Sequence, residues 1–92
     1  MSDENLYTMV LDYKGGTYIS QISSKSPEVA IKKWVSTINE QELANWGLTR
    51  SEATLLAKDN PIPLKNCSNV WCVQDSAKAG LMLLNIIATQ TT

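Results

Sequence analysis

Apolar and polar residues alternate along the first quarter of the chain. Residues 7–13 read Tyr-Thr-Met-Val-Leu-Asp-Tyr, with a large apolar side chain at every second position, and this period predicts a half-buried strand. Residues 14–17, Lys-Gly-Gly-Thr, supply a turn, and residues 18–22 return as a second strand. With Gly15-Gly16 as the loop, the predicted register pairs Tyr13 with Tyr18, Leu11 with Ser20 and Met9 with Ile22.

A helix is predicted after this hairpin. Ser26, Pro27 and Glu28 form a helix start, with an N-cap, a proline in the first turn and a first-turn acid. Apolar residues then follow at helical spacing, and the helix is expected to end near Ile38 or Asn39. The apolar stripe comprises Ile31, Trp34, Val35 and Ile38.

The capping patterns within residues 39–60 predict two short helices. Asn39 and Glu42 have the spacing of a capping box, and Gly47 ends that helix. Thr49 and Glu52 repeat the capping box, and the sequence Asn-Pro-Ile-Pro at 60–63 ends the second helix.

The last third of the chain predicts a second hairpin. Residues 70–73 are a β-rich strand, 75–80 a loop, and 81–90 a further strand in which Ile86 and Ile87 favour β structure. The competing interpretation is a helix that begins at Ser76, where several good helix formers follow one another. The whole pattern, ββ-α-αα-ββ, predicts an α+β fold: an antiparallel sheet of two hairpins with helices packed on one face.

Length and composition limit the protein to one small domain. The 92 residues are expected to form a single globular domain over 1–92, with frayed ends at 1–5 and 91–92. The chain contains no histidine, which excludes Ser-His-Asp and Cys-His catalysis and histidine zinc ligands. We therefore expect a protein that is not an enzyme and that uses no cofactor and no metal.

Charge and cysteine usage narrow the partners and the compartment. Eight basic against nine acidic residues give a net charge of −1, which argues against a nucleic-acid partner. The acidic, polar N-terminus does not resemble a signal peptide, and the longest apolar run, 81–88, is short and broken by Asn85. Cys67 and Cys72 are too few for a disulfide framework. These features predict a cytoplasmic protein that does not engage a membrane.

Two surfaces are candidates for binding. The helical segment 39–59 is mildly acidic and holds a tryptophan in a loop, which suits a basic partner protein because tryptophan is enriched at interface hot spots. The alternative is a small-ligand or nucleic-acid face on the aromatic side of the first hairpin. The acidic set is Glu40, Glu42, Trp46, Glu52 and Asp59, and the alternative set is Tyr7, Tyr13 and Tyr18.

Self-association is a third expectation. Residues 81–87 are more apolar than a strand with one buried face requires, so part of this segment is expected to pair with a second chain at a sheet edge and form a homodimer.

The sequence does not assign the chain to a family, but one stretch carries a resemblance. The hairpin and capped helix over residues 7–34, less than a third of the chain, resemble the start of small antitoxins with a partial double-stranded-RNA-binding-like fold. Nothing after Trp34 matches, and no DNA-binding tail follows. The resemblance implies a toxin-neutralising role. Together with the acidic segment, it predicts a non-catalytic protein-interaction module, of the immunity or antitoxin type, that inhibits a basic partner.

Overall fold

The computed structural model describes residues 4–90. The predicted frayed ends at 1–3 and 91–92 lie outside this range, whereas Asn5 already pairs with Ser24. The elements in chain order are β1 (Asn5–Tyr13), β2 (Gly16–Ser24), α1 (Pro27–Thr37), α2 (Glu40–Trp46), α3 (Arg50–Leu56), β3 (Ile62–Pro63), β4 (Val70–Ala77) and β5 (Gly80–Gln90).

The five strands form one antiparallel sheet in the order β2-β1-β5-β4-β3. The two predicted hairpins, β1–β2 and β4–β5, are present and are joined where β1 pairs with β5. The predicted α+β class is therefore confirmed. The short strand β3 was not predicted, because its two residues, Ile62 and Pro63, lie in a segment whose prolines indicate only the end of a helix.

The predicted register of the first hairpin is wrong by two residues. The loop is Lys14-Gly15, with φ of 49° and 79°, and Tyr13 pairs with Gly16. Both values match a type I′ turn, in which Lys14 takes the left-handed conformation that the prediction assigned to a glycine. Gly16 instead begins β2, where an added Cβ would lie 2.5 Å from the Tyr18 hydroxyl. The pairs are Leu11 with Tyr18, Met9 with Ser20 and Tyr7 with Ile22.

A shift by two residues leaves the faces of the sheet unchanged, because side chains alternate with a period of two. The odd-numbered residues of β1 from Tyr7 to Tyr13 are buried, as predicted, while Thr8, Val10 and Asp12 lie on the opposite face. The buried face of the sheet and the apolar sides of the helices form one core. Its strand members are Tyr7, Met9, Leu11, Tyr13, Val73, Met82, Leu84 and Ile86.

The predicted helix boundaries are confirmed at the caps. The Ser26 side chain accepts a hydrogen bond from the N–H of Val29, and α1 ends at Thr37. Thr49 and Glu52 form a complete capping box, whereas at Asn39 one half is present, in which the side chain accepts from the N–H of Glu42. Gly47, with φ of 80°, terminates α2 in the left-handed conformation.

The second hairpin is tighter than predicted. β4 continues to Ala77, and a two-residue turn at Lys78-Ala79 replaces the expected loop over 75–80. The alternative helix from Ser76 is wrong, because this segment forms the end of β4 and the start of β5. β5 lies between β1 and β4, so the apolar residues 81–87 do not provide a free sheet edge. The edges of the sheet are β2 and β3.

Candidate functional site: a carboxyl pair beside an apolar cavity

The structure gives the acidic residues of segment 39–59 separate structural surroundings. Glu40 begins α2 and forms an ion pair with Arg50, whose Nη2 lies 2.6 Å from the Glu40 Oε1. The same guanidinium donates through Nη1 to the Val35 carbonyl at 2.5 Å, so it links α1, α2 and α3. Glu40 thus has an internal cationic partner, although its own side chain remains exposed.

The carboxylate of Glu52 accepts hydrogen bonds from two main-chain N–H groups. Its Oε1 accepts from the N–H of Thr49 at 3.0 Å, and its Oε2 accepts from the N–H of Lys78 at 2.7 Å. These hydrogen bonds, the one from Lys78 foremost, lower the pKa of Glu52 below its usual 4.5. Glu42 is exposed and interacts with the side chain of Asn39 at 3.4 Å. Among the described residues, these three glutamates share no hydrogen bond or ion pair with one another.

Trp46 is half-buried rather than projecting into solvent. Its ring stacks on Tyr18, with centroids 5.1 Å apart, and on Trp34, with centroids 6.1 Å apart. The Trp34 indole N–H donates to the Ser20 hydroxyl at 3.0 Å, which fastens α1 to β2. The predicted exposed tryptophan is therefore part of a stack that holds α2 on the hairpin.

The three tyrosines of the alternative ligand surface belong to the core or its margin. Tyr7 and Tyr13 are each 2% exposed, and Tyr18 is half-buried beneath Trp46. Tyr7 also meets Trp71 edge to face, with centroids 6.1 Å apart. The aromatic side of the hairpin is therefore covered by the helices and does not offer an open stacking platform.

The remaining predicted acid, Asp59, has a neighbour, Asp75, that the sequence did not select. Its carboxyl is within hydrogen-bonding range of the Asp75 carboxyl on β4. That contact raises the pKa of Asp59 above its ordinary value of 3.8, and desolvation and repulsion from Asp75 act in the same direction. Asp75 also accepts a hydrogen bond from the N–H of Ser76 at 2.8 Å. Among the described residues, neither carboxyl has an ion-pair partner.

A cavity of about 530 Å³ opens beside this carboxyl pair. Its apolar wall includes Ile62 and Leu64, whose side chains are exposed, and the buried Val73. The complete lining is Asp59, Asn60, Ile62, Leu64, Cys72, Val73 and Gln74. The cavity therefore combines apolar walls with one carboxyl, that of Asp59, whose partner Asp75 lies outside the lining.

The main chain of β4 adds polar groups to this cavity. Cys72 pairs with Ile62 on β3. The main-chain groups of alternate residues point to the same side of a strand, so the N–H and C=O of Gln74, two residues further along β4, also point toward the β3 side. β3 begins at Ile62, opposite Cys72, and does not extend to the position opposite Gln74. Among the described residues, the N–H and C=O of Gln74 are therefore unpaired. The chain offers a short stretch of open strand edge next to the carboxyl pair.

The sequence analysis selected Asp59 but could not predict that Asp75 lies beside it. Asp59 and Asp75 are 16 positions apart, one after a helix and the other within a strand, and no local spacing pairs them. Cys72 lines the cavity and Cys67 is exposed, and both are free thiols. Burial raises the pKa of the Cys72 thiol.

Residues 4–90 contain neither a metal-ligand cluster nor a helix that could span a membrane. In that range, no group of three or more His, Cys, Asp or Glu side chains could hold a metal ion. The helices of that range include none with the length and apolar character needed to cross a membrane. Comparison with protein-family models, characterised proteins and solved structures finds no match to this chain.

Proposed function

We propose that the protein is a non-catalytic binding module for a basic partner protein, and that a lysine or arginine of the partner occupies the cavity beside Asp59 and Asp75. The observation that carries this proposal is the Asp59–Asp75 carboxyl pair, which has no ion-pair partner among the described residues and of which Asp59 lines an apolar cavity. Two carboxylates at close range repel one another, and an incoming cation relieves that repulsion.

The shape of the cavity favours a cationic side chain over a free inorganic cation. Lys and Arg carry an apolar stem and a charged head, and they bury the stem along apolar surface. Ile62 and Leu64 would contact such a stem, while the carboxyl pair would receive the head. The open N–H and C=O of Gln74 would pair with the partner's main chain on either side of the inserted residue.

A role as an immunity-type or antitoxin-type inhibitor is the specific form of this proposal. A small acidic module that covers a basic surface blocks whatever that surface binds, and electrostatic attraction accelerates the encounter. This form of the proposal is supported by the carboxyl pair, together with the mildly acidic helical segment 39–59, in which Glu40 and Glu42 are exposed.

Binding of synthetic peptides tests the proposal. The probes are short peptides with one Lys or Arg flanked by apolar residues, titrated into the protein at low salt and followed by calorimetry. Asp59→Asn is expected to weaken the tightest interaction by roughly fivefold to tenfold. Glu28→Gln removes one exposed acid from α1 and is the matched control, so it should change the affinity by less than about twofold.

Two results would count against the proposal. One is the absence of saturable binding to any of the basic peptides, and the other is equal affinity of wild type and Asp59→Asn. The volume of the cavity also suits a small ligand, since such pockets span about 300–1,000 Å³. A linear alkyl diamine is therefore titrated in parallel. Saturable diamine binding without peptide binding would replace the protein partner with a small cationic ligand.

A further inference from the structure

The outer edge of β2 pairs with no other strand of the described residues, and it lies on the opposite side of the sheet from β3. In an antiparallel pair, alternate residues direct their N–H and C=O groups toward the partner strand. The tight turn makes Tyr13 and Gly16 such a pair. From Gly16 onward, even-numbered residues of β2 therefore bond to β1, and odd-numbered residues direct their main-chain groups outward.

The outward-facing residues are Thr17, Ile19, Gln21 and Ser23. All four side chains are exposed, and Ile19 is 68% exposed. The Ser23 carbonyl is capped by Lys33, whose Nζ donates to it at 2.6 Å. Within residues 4–90, the main-chain groups of the other three have no hydrogen-bond partner.

Apart from the Lys33 side chain at Ser23, this edge lacks the usual features that prevent strand addition. Native edge strands are commonly protected by charged side chains, proline, bulges or short length. β2 has nine residues, pairs with β1 without a register shift, and contains neither a charged residue nor a proline. β3, at the other edge, is only two residues long and contains Pro63.

We propose that a second copy of this chain adds to β2, antiparallel and about a two-fold axis that passes through Ile19. The open part of the edge lies between the turn, which ends at Gly16, and the residue before the Lys33 cap, Ile22. Residues 16–22 are centred on Ile19. In this register Ile19 faces its own copy and Thr17 faces Gln21 of the partner, so every free outward-facing residue is paired while the capped Ser23 stays outside.

The chemistry of the strand favours a copy of itself as the occupant. A two-fold axis places each charge of a surface near an identical one, and like charges opposite one another destabilise a sheet. Because β2 is uncharged throughout, symmetric pairing meets no such repulsion within the ladder. Each pair of outward-facing residues would exchange two hydrogen bonds, and the exposed Ile19 side chain would gain an apolar neighbour.

The dimer would contain one continuous sheet of ten strands, with five from each chain. Since β2 and β3 are at opposite edges, the cavity beside Asp59 remains open in both copies. Strand addition alone creates a small interface, so we expect association that depends on concentration rather than a permanent dimer.

Sedimentation equilibrium over a wide concentration range tests this proposal with the full chain. The wild-type mass is expected to rise from 10.2 kDa toward twice that value as concentration increases. Ile19→Lys is expected to remain monomeric, because a charge on the two-fold axis faces an identical charge. Ile62→Lys, on β3, is the matched control, since Ile62 is also 68% exposed, and it should associate as wild type does. Far-UV circular dichroism verifies that both variants are folded.

Amide hydrogen exchange identifies the surface. The N–H groups of Thr17, Ile19 and Gln21 should exchange more slowly at high than at low protein concentration. A wild-type chain that stays monomeric at every concentration would overturn the proposal, as would association that Ile19→Lys leaves unchanged or that Ile62→Lys abolishes. This test is independent of the proposed binding of a basic partner.

Discussion

The carboxylate of Glu52, at the start of α3, accepts a hydrogen bond of 2.7 Å from the backbone N–H of Lys78, 26 residues further along the chain. Lys78 lies in the turn between β4 and β5. The same carboxylate completes the capping box with Thr49. The Glu52 side chain therefore caps the first turn of α3 and also hydrogen-bonds α3 to the turn of the β4–β5 hairpin.

Glu52→Gln is expected to lower the melting temperature at neutral pH by a few degrees. The pKa of Glu52 is lowered in the folded protein, so its contribution to stability is present above the ordinary value of 4.5 and is lost as pH falls through the folded pKa. The variant should therefore differ most from wild type at neutral pH and converge with it in acid. Glu42→Gln is the control, because Glu42 holds the same helix position in α2 and its hydrogen bonds to other side chains, within residues 4–90, are to Asn39. Equal effects of the two substitutions would show that the Lys78 bond is without consequence.

Asp59→Asn is expected to raise the melting temperature at neutral pH. The pKa of Asp59 is raised in the folded protein, so its stabilising contribution is full below the ordinary value of 3.8 and is lost as pH rises through the folded pKa. The Asp75 carboxyl repels a negative charge at Asp59, and an amide at position 59 removes that repulsion. Thermal unfolding between pH 3 and 7 measures the effect, and an unchanged or lower melting temperature at pH 7 would contradict it.

Tyr13→Phe is expected to be neutral or to stabilise the protein by up to about 1 kcal/mol. The Tyr13 hydroxyl is sealed from solvent and has no hydrogen-bond partner among the described residues, so its removal costs no internal bond. Tyr13→Ala leaves a large cavity in the core and should cost about 3–5 kcal/mol. Chemical denaturation measures both values. A loss of more than about 1 kcal/mol in Tyr13→Phe would mean that the hydroxyl is hydrogen-bonded.

Substitutions at the two adjacent residues of the first hairpin turn are expected to change the free energy of unfolding in opposite directions. Gly15→Ala is expected to lower the free energy of unfolding by about 1 kcal/mol, because its φ of 79° is costly for a residue with a Cβ. Lys14→Asn is expected to be stabilising, since Asn followed by Gly is the preferred pair in a type I′ turn. If the loop were Gly15-Gly16, Lys14→Asn would have little effect.

Local patterns were sufficient for the elements whose causes are local. The alternation from Tyr7 to Tyr13 predicts both β1 and the face that is buried, since side-chain direction in a strand depends only on position along it. Ser26, Thr49 and Gly47 predict helix ends because each satisfies or terminates the main chain within a few residues. The helix and strand alternatives after Ser76 are not separated by propensity, and the pairing of β5 with both neighbours decides for the strand.

The sequence by itself determined the fold class, the helix caps and the buried face of β1, because periodicity and capping are read over a few neighbouring residues. Only the tertiary structure decided the strand order, the hydrogen bond from Lys78 to Glu52, and the stacking of Trp46 on Tyr18 and Trp34. It also brought together Asp59 and Asp75 and left β2 at an edge. These relationships join residues distant in sequence, and their energies arise only when packing places the groups within a few ångströms of each other.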